Sequence, residues 1–524
     1  MPRSQPQTGS SPRLVLIGTE ETVRLAARQC AVLGVAAPEI LGAVLIQAPA
    51  DTAPPHDLTI LGALRDLPAL HQRHRFDAAL VSLPLAMTAA IGRVRSALAS
   101  LGIAERFLPT MADVLSRPPV PGATTPPAPD LLDLVGRRPR DLDTEPVRRA
   151  IADRRVLITG AGGSIGSEIA RICAAFGPSM LILMERAENA LFEIDRQIAA
   201  RFPHLPRRAV LHDVTDAPAT LRRVASLGPE VVFHAAAHKH VPMMEDHPAA
   251  AVANNLFGTK SIADAALAVG AERFVMVSTD KAVNPTSVMG ATKRLAEVYI
   301  RSLAESAGRP NETRFSMVRF GNVLGSACSV LPIWAAQIAE GGPVTVTHPA
   351  MTRYFMTIPE AASLVIHAAT IDETEVPGAG VFVLDMGEPV SIRKLAERFI
   401  RAHGLAPAWE DPHGLMPVNG GTELRTGQWH DLPAIRATFT GIRPGEKLHE
   451  ELAYSVEELA PTSVPGVLAW SGPTPDRRAV ARMLADLSGV RDVDDAASVL
   501  GAIRKHVPEM RPRTPEQTPT AVAA

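Results

Sequence analysis

Short apolar runs alternate with longer amphipathic stretches along most of this chain. Residues 14–17, 43–46 and 78–81 are apolar runs of strand length, and the stretch through Cys30 between the first two carries helical spacing. This predicts a small α/β domain with a parallel sheet over residues 13–115. The same alternation resumes at Arg155, with runs at 156–158, 180–184, 210–213, 231–234 and 274–278 that predict a doubly wound parallel sheet. Residues 116–130 hold Pro118, Pro119, Pro121, Pro126, Pro127 and Pro129, which disfavour both helix and ladder, so an extended linker is expected there. The main domain is expected over residues 131–455, a helical extension over 456–506, and a disordered Pro-rich tail over 507–524. Residues 321–340, 381–384 and 441–448 are expected to form a smaller C-terminal region over the sheet's active edge. Residues 405–431, rich in Gly and Pro and without periodicity, predict a long surface insertion.

The turn after residues 156–158 changes this from a fold prediction to a chemical one. Gly160, Gly163 and Gly166 allow a tight strand-to-helix turn, close approach of backbone to a pyrophosphate, and close helix packing, with Ser164 and Ile165 opening the helix. Glu185 closes the next apolar run nineteen residues after Gly166, where a carboxylate accepts both ribose hydroxyls. That acid favours NAD. Arg186 beside it offers a partner for a 2′-phosphate, so NADP stays open. Asp213 ends the third run and Val214 follows it, where an adenine contact is expected, and Ala235 and Ala236 follow the fourth as further cofactor contacts. The fold class is therefore α/β: a Rossmann-like doubly wound sheet with a smaller C-terminal substrate-binding region, preceded by a second small α/β domain. In that first domain Gly18 follows a strand without the second and third glycines, so a structural or regulatory role leads there.

Composition narrows the partners. With 53 Lys+Arg against 55 Asp+Glu the formal net charge is −2, so no global field draws the chain to nucleic acid or an anionic membrane, and small molecules are the expected partners. Cys30, Cys173 and Cys328 lack metal-ligand spacing, which predicts neither a metal site nor a disulfide framework, and fits a reducing compartment. No apolar run reaches the roughly 18 residues of a membrane span, and residues 1–12 lack the apolar core of a secretory signal. A cytoplasmic protein is expected.

The run 274–278 delivers Thr279, Asp280 and Lys281 to the sheet edge where a nicotinamide would lie, an acid/base cluster beside a hydride acceptor. Pro285 with Thr286 and Ser287 then opens a helix through Tyr299 that carries Met289 and Lys293 on one face. Here the chain resembles the extended short-chain dehydrogenase/reductases, which have Tyr where this chain has Met289. A thioether exchanges no proton, so another group must take the proton of an oxidised hydroxyl. Residues 234–242 with Lys239, His238 and His240 predict a cationic substrate loop. Together with residues 159–166, 278–293, 319–325, 351–356 and 441–447, they make residues 130–455 similar to the polysaccharide-biosynthesis nucleotide-sugar 4,6-dehydratases. The first domain resembles the extra domain of the long members, which usually begin with membrane helices.

That resemblance implies homo-oligomers and a UDP-N-acetylglucosamine substrate. Hydride leaves C4 for NAD, water is lost across C5 and C6, and the hydride returns to C6. It also implies Lys281 as the base at C5, Asp280 as the acid at the C6 hydroxyl, Thr279 on the C4 hydroxyl and Lys293 on the nicotinamide ribose. A lysine base must be neutral, well below its ordinary pKa of about 10.4, and Asp280 must hold a proton. Arg353, Arg443, Glu446 and Asn322 are candidates for the diphosphate, uracil or ribose end. A nucleotide-sugar 4-epimerase would share the fold, cofactor and first oxidation without needing Asp280 and Lys281. A non-catalytic NAD-binding regulatory protein would tolerate Met289. Both readings stay open at this point.

Overall fold

The computed structural model describes residues 13–31, 39–47, 58–84, 87–101, 103–108, 143–306, 313–326, 329–371, 375, 380–411, 414–415, 433–470, 472–473 and 475–510. The expected linker, most of the 405–431 insertion, most of the tail and Cys328 lie outside them. The chain divides into two compact units, Met1–Thr125 and Pro126–Ala524.

In the first unit five parallel strands, β1 (Arg13–Gly18), β2 (Glu39–Leu45), β3 (Ile60–Ala63), β4 (Ala78–Ser82) and β5 (Ala104–Phe107), lie in the order β3-β2-β1-β4-β5. Successive residues of β1 point to opposite faces: Val15 and Ile17 pack with Leu67, Val94 and Leu98, whereas Leu16 packs with Val23. A Cβ on Gly18 would stand 2.3 Å from the Ser82 carbonyl oxygen. The helix that follows, Glu20–Ala31, begins with Glu20 and Glu21, so its own carboxylates complement the positive end of the helix dipole.

The second unit is built on a nine-stranded sheet. Its parallel strands β6 (Arg155–Thr159), β7 (Met180–Glu185), β8 (Arg207–Leu211), β9 (Val231–His234), β10 (Arg273–Val277) and β11 (Arg314–Arg319) run β8-β7-β6-β9-β10-β11. The alternation read from sequence here sorts side chains between two cores. Leu157, Ile182, Met184, Val232, Phe274 and Met276 face one core, which also takes up the helices Thr259–Ala268 and Val288–Ser306. Val156, Ile158, Leu181, Leu183, Phe233 and Val275 face the other, against the helices Ser164–Ala175, Glu188–Arg201 and Ile358–Ala368. Covering both faces explains why these strands read as continuous apolar runs.

Three expectations are corrected by the fold. Residues 381–384 belong to the main sheet rather than to the smaller region: Val381–Leu384 pairs in parallel with β11 and antiparallel with Val467–Trp470, and is buried along its whole length. The start of the expected insertion is a strand, Ala406–Asp411, paired with Ala434–Phe439. Trp409 anchors it by stacking on Phe439 at 4.7 Å, and this side-chain contact offsets the poor strand propensity of the surrounding Ala and Pro residues. These strands, with Val344–Val346 and the helices Val330–Ala339 and Ile392–Ala402, enclose the smaller region's own core around Trp334. The helical extension expected over 456–506 is helical only from Arg477, because Val467–Trp470 joins the main sheet; its two helices, Arg477–Ser488 and Ala496–His506, send Val480, Met483, Leu487, Val499 and Ile503 into the core under Val288–Ser306. Among the described residues no helix is long and apolar enough to cross a membrane.

Candidate active site

From β6 the chain goes on to β7 on one side, and from β9 to β10 on the other, so the crevice between β6 and β9 is the sheet's switch point. Gly160 lies there with φ +64°, and a Cβ on it would stand 2.7 Å from the Ala236 backbone nitrogen. A Cβ on Gly166 would come to 2.1 Å from the Gly160 carbonyl oxygen. Only glycine lets loop, helix and the 235–236 turn meet this closely. Gly163 caps the helix Ser164–Ala175 without a side-chain bond, which leaves its amide end suited to a pyrophosphate. The Glu185 carboxylate accepts from the amides of Gly162 at 3.2 Å, Arg186 at 2.9 Å and Ala187 at 3.0 Å, and so stands at the mouth of the glycine loop. Arg186 turns away from that loop, toward His238, Asn254 at 3.4 Å and Asp213 at 3.9 Å. Burial pushes the Asp213 carboxyl up, but two Thr215 hydrogen bonds and Arg186 hold it below its ordinary value. A carboxylate at the mouth of the glycine loop, beside an arginine already engaged, fits NAD rather than a 2′-phosphorylated cofactor.

Sequence reading missed the groups that brace this crevice. His234 at the end of β9 is buried between Thr159 Oγ1 at 2.7 Å and Thr259 Oγ1 at 2.9 Å. Burial, with Lys293 nearby, pushes its pKa down to about 3, so it is a neutral spacer. A π-helical segment, Val252–Gly258, turns the fully buried Asn255 inward. Its side chain accepts from the His238 amide at 2.8 Å and donates to the His238 carbonyl and Thr292 Oγ1, both at 3.1 Å, tying the 235–240 loop to the helix Val288–Ser306. An asparagine inside an apolar helical stretch gives no pattern that would flag it.

The acid/base cluster is continuous. Thr279 Oγ1 donates to Asp280 Oδ1 at 2.9 Å, and Lys281 Nζ donates to the same oxygen at 3.0 Å. Lys281 also donates to Asn322 Oδ1 at 3.2 Å and pairs with Glu450 Oε1 at 3.5 Å. Asp280 is fully buried, and its Oδ2 has no partner. The cluster opens on a cavity of about 100 Å³ whose lining includes Lys281, Asn322, Arg353, Glu446, Lys447 and Glu450. Burial alone would lower the Lys281 pKa, but Asp280 and Glu450 outweigh it and hold the ammonium above its ordinary value. The protein by itself therefore keeps Lys281 cationic, the reverse of the expected depression, because two carboxylates flank one amine.

Met289 and Lys293 share a face of Val288–Ser306, and each is only 4 % exposed. The helix opens on the expected Thr/Ser cap, with Ser287 Oγ accepting from the Gly290 amide at 3.1 Å and Glu245 from the Val288 amide at 2.8 Å. Burial pulls Lys293 down to about 8, against Glu297 one turn on. Glu297 holds Arg319 in a two-point bond at 2.8 and 2.7 Å, Glu457 takes the other end of that guanidinium at 2.7 Å, and Ser278 Oγ donates to Glu297 at 2.7 Å.

The other candidates divide. Asn322 joins the acid/base cluster instead of a distant nucleotide end. The buried Arg353 donates to the carbonyls of Thr352, Lys447 and Leu448 and lies 3.8 Å from Glu450, so it holds the segment that brings Glu450 in. Arg443 pairs with Glu446 at 2.6 Å near the mouth of the site, and Lys239 and His240 are exposed. Burial lowers the His240 pKa, helped by Lys239 and Arg443, so the imidazole is held toward its neutral form beside two cations.

The family described as polysaccharide biosynthesis protein matches residues 156–471, which takes in the glycine loop, the acid/base cluster and the Glu450 segment. The chain belongs to that family. This family member is 44 % identical over 372 residues to the probable polysaccharide biosynthesis protein EpsC of Bacillus subtilis strain 168, covering 71 % of this chain and 57 % of that relative. The match thus spans less than two thirds of the relative's length. It is 29 % identical over 299 residues to a Campylobacter jejuni UDP-N-acetylglucosamine 4,6-dehydratase (inverting), covering 57 % of this chain and 76 % of that one. Among solved structures, Pen from Bacillus thuringiensis aligns with a TM-score of 0.52 and 30 % identity, over 62 % of this chain and 90 % of that one.

Proposed function

We propose that this chain is a nucleotide-sugar 4,6-dehydratase that converts UDP-N-acetylglucosamine to its 4-keto-6-deoxy derivative. The observation that carries this reading is the hydrogen-bonded series Thr279–Asp280–Lys281, set beside a helix with Met289 where a tyrosine base would stand. The Campylobacter relative's name supports the same reaction class. Gly160, Gly163, Ser164, Gly166, Glu185, Asp213 and Lys293 would hold NAD, which supplies the hydride acceptor for C4 and the donor for C6.

The residues of the chain do the proton chemistry. With Met289 in place of the tyrosine, Thr279 takes the C4 hydroxyl proton while passing its own along the 2.9 Å bond to Asp280. Asp280 then carries the proton that the C6 oxygen needs to leave as water. A ketone at C4 acidifies C5, so Lys281 removes the C5 proton and later returns one to C5. Lys293, whose charge Glu297 supports against burial, favours hydride departure from C4. Lys239, His240, Arg443 and Glu446 at the mouth suit the UDP end.

Incubating the purified chain with UDP-N-acetylglucosamine and NAD should yield a sugar nucleotide lighter by one water in a mass spectrum. An isomer of unchanged mass would replace this reading with an epimerase. No product at all would leave a non-catalytic NAD-binding protein.

A further inference from the structure

The proposed dehydration needs an acceptor for the Lys281 proton, and one buried carboxylate stands beside that amine. At elimination the reaction needs Asp280 protonated and Lys281 neutral together. The resting arrangement is the opposite, an ammonium with acceptors on three sides: Asp280 Oδ1 at 3.0 Å, Asn322 Oδ1 at 3.2 Å and Glu450 Oε1 at 3.5 Å. If the C4 hydroxyl proton fills Asp280 through Thr279, Lys281 must still lose one of its own. Asp280 is then occupied, and an amide oxygen such as that of Asn322 is far too weak a base to hold a proton.

We propose that Glu450 is the site that holds the Lys281 proton while that lysine acts as the base at C5, an inference that rests on the dehydratase reading. The Glu450 carboxylate is delivered to Nζ by a segment pinned along its length. Thr286 Oγ1 donates to the Gly445 carbonyl at 3.0 Å, Lys447 Nζ to the Val283 carbonyl at 2.7 Å, and Tyr454 to the Ala282 carbonyl at 3.1 Å. The Glu450 side chain is 2 % exposed, and its Oε2 is buried without a partner, leaving an acceptor in reserve. The charged groups around it are Lys281, Arg353 at 3.8 Å, Lys447 and, beyond Lys281, Asp280; Glu451 faces Lys447. Lys447 lies below its ordinary pKa through burial, against the pull of Glu450, Glu451 and Asp280.

At rest one proton is shared among the three groups, with Asp280 and Glu450 ionised and Lys281 cationic. Oxidation at C4 adds the hydroxyl proton to Asp280, and one N–H of Lys281 moves to Glu450. Lys281 then breaks the C5–H bond, and the Asp280 proton leaves with the C6 hydroxyl as water. When hydride returns to C6, Lys281 gives its new proton to C5 and takes one back from Glu450. The three groups end as they began, and one water has left the sugar. Glu450 acts through Lys281, whose ammonium it faces at 3.5 Å.

The test is kcat against pH from 6 to 10 for the wild type, Glu450→Gln and Glu450→Asp, with product identified by mass. The wild type should dehydrate at a nearly constant rate across the neutral range, because the proton moves internally. Glu450→Gln should fall at least tenfold at pH 7 and recover close to tenfold per pH unit on the acidic side of Lys281, with little change in KM. Glu450→Asp, which keeps the carboxylate and controls for misfolding, should keep the flat profile. The proposal is overturned if Glu450→Gln matches the wild type at pH 7. It is also overturned if Glu450→Gln is depressed equally at every pH, or if Glu450→Asp acquires the sloping limb. A wild type that makes no dehydrated product overturns the dehydratase reading itself, and Glu450's role with it.

Discussion

Asp280→Asn is expected to lower the turnover of UDP-N-acetylglucosamine by at least about 10²–10⁴-fold, the range for one positioned proton transfer. The asparagine keeps an oxygen where Thr279 and Lys281 donate at 2.9 and 3.0 Å, so the shape of the cluster survives while its capacity to hold a proton is lost. Both uses of that capacity fail together, the uptake from C4 through Thr279 and the release to the C6 hydroxyl. Met289 cannot stand in, since a buried thioether on the neighbouring helix offers no exchangeable proton. The glycine loop and Glu185 are separate elements, so NAD titration should give an affinity close to that of the wild type. Turnover within tenfold of the wild type would remove Asp280 from both roles.

The second large effect is on stability. Arg319→Leu should destabilise the second unit by about 3–5 kcal/mol, the cost of leaving buried carboxylates without their cation. Arg319 and Glu297 are fully buried, and Glu457 is nearly so. Burial pushes the Glu297 carboxyl up from an ordinary 4.5, but the Arg319 guanidinium, Arg294 and Ser278 bring it down to about 2. A folded value below the unfolded one means the proton is taken up more readily by the unfolded chain. Glu297 therefore contributes its stability above about pH 4.5 and loses it as pH falls toward 2. Urea midpoints of wild type and variant should lie well apart at pH 7 and converge in acid. All four tryptophans, Trp334, Trp409, Trp429 and Trp470, fall in the second unit, so their fluorescence follows this transition. A separation that stays constant down to pH 3 would contradict the assignment.

What could be read from the sequence was whatever repeats or clusters along the chain. Buried parallel strands write themselves as apolar runs, and Gly160 and Gly166 are legible because steric crowding admits nothing larger. Thr279, Asp280 and Lys281 are adjacent in sequence and stay adjacent in space. What escaped depends on contacts between distant residues. Glu450 meets Lys281 across 169 positions, and Arg319 joins Glu297 and Glu457 from three separate elements. The protonation of Lys281 is hidden for the same reason: burial is inferable from the strand it follows, but Glu450, which joins Asp280 in outweighing that burial, is not. Arg353 looked like a phosphate ligand because a guanidinium suits an oxyanion, whereas backbone carbonyls of its own chain engage much of it.

The central claim is that one cluster removes water across C5 and C6 while a single hydride travels from C4 to C6. Substrate carrying deuterium at C4 tests this most directly, with the product analysed by mass and proton NMR in ordinary water. The account predicts a 4-keto sugar nucleotide that has lost one water and bears the deuterium on the C6 methyl group. A product of unchanged mass with deuterium still at C4 would contradict it.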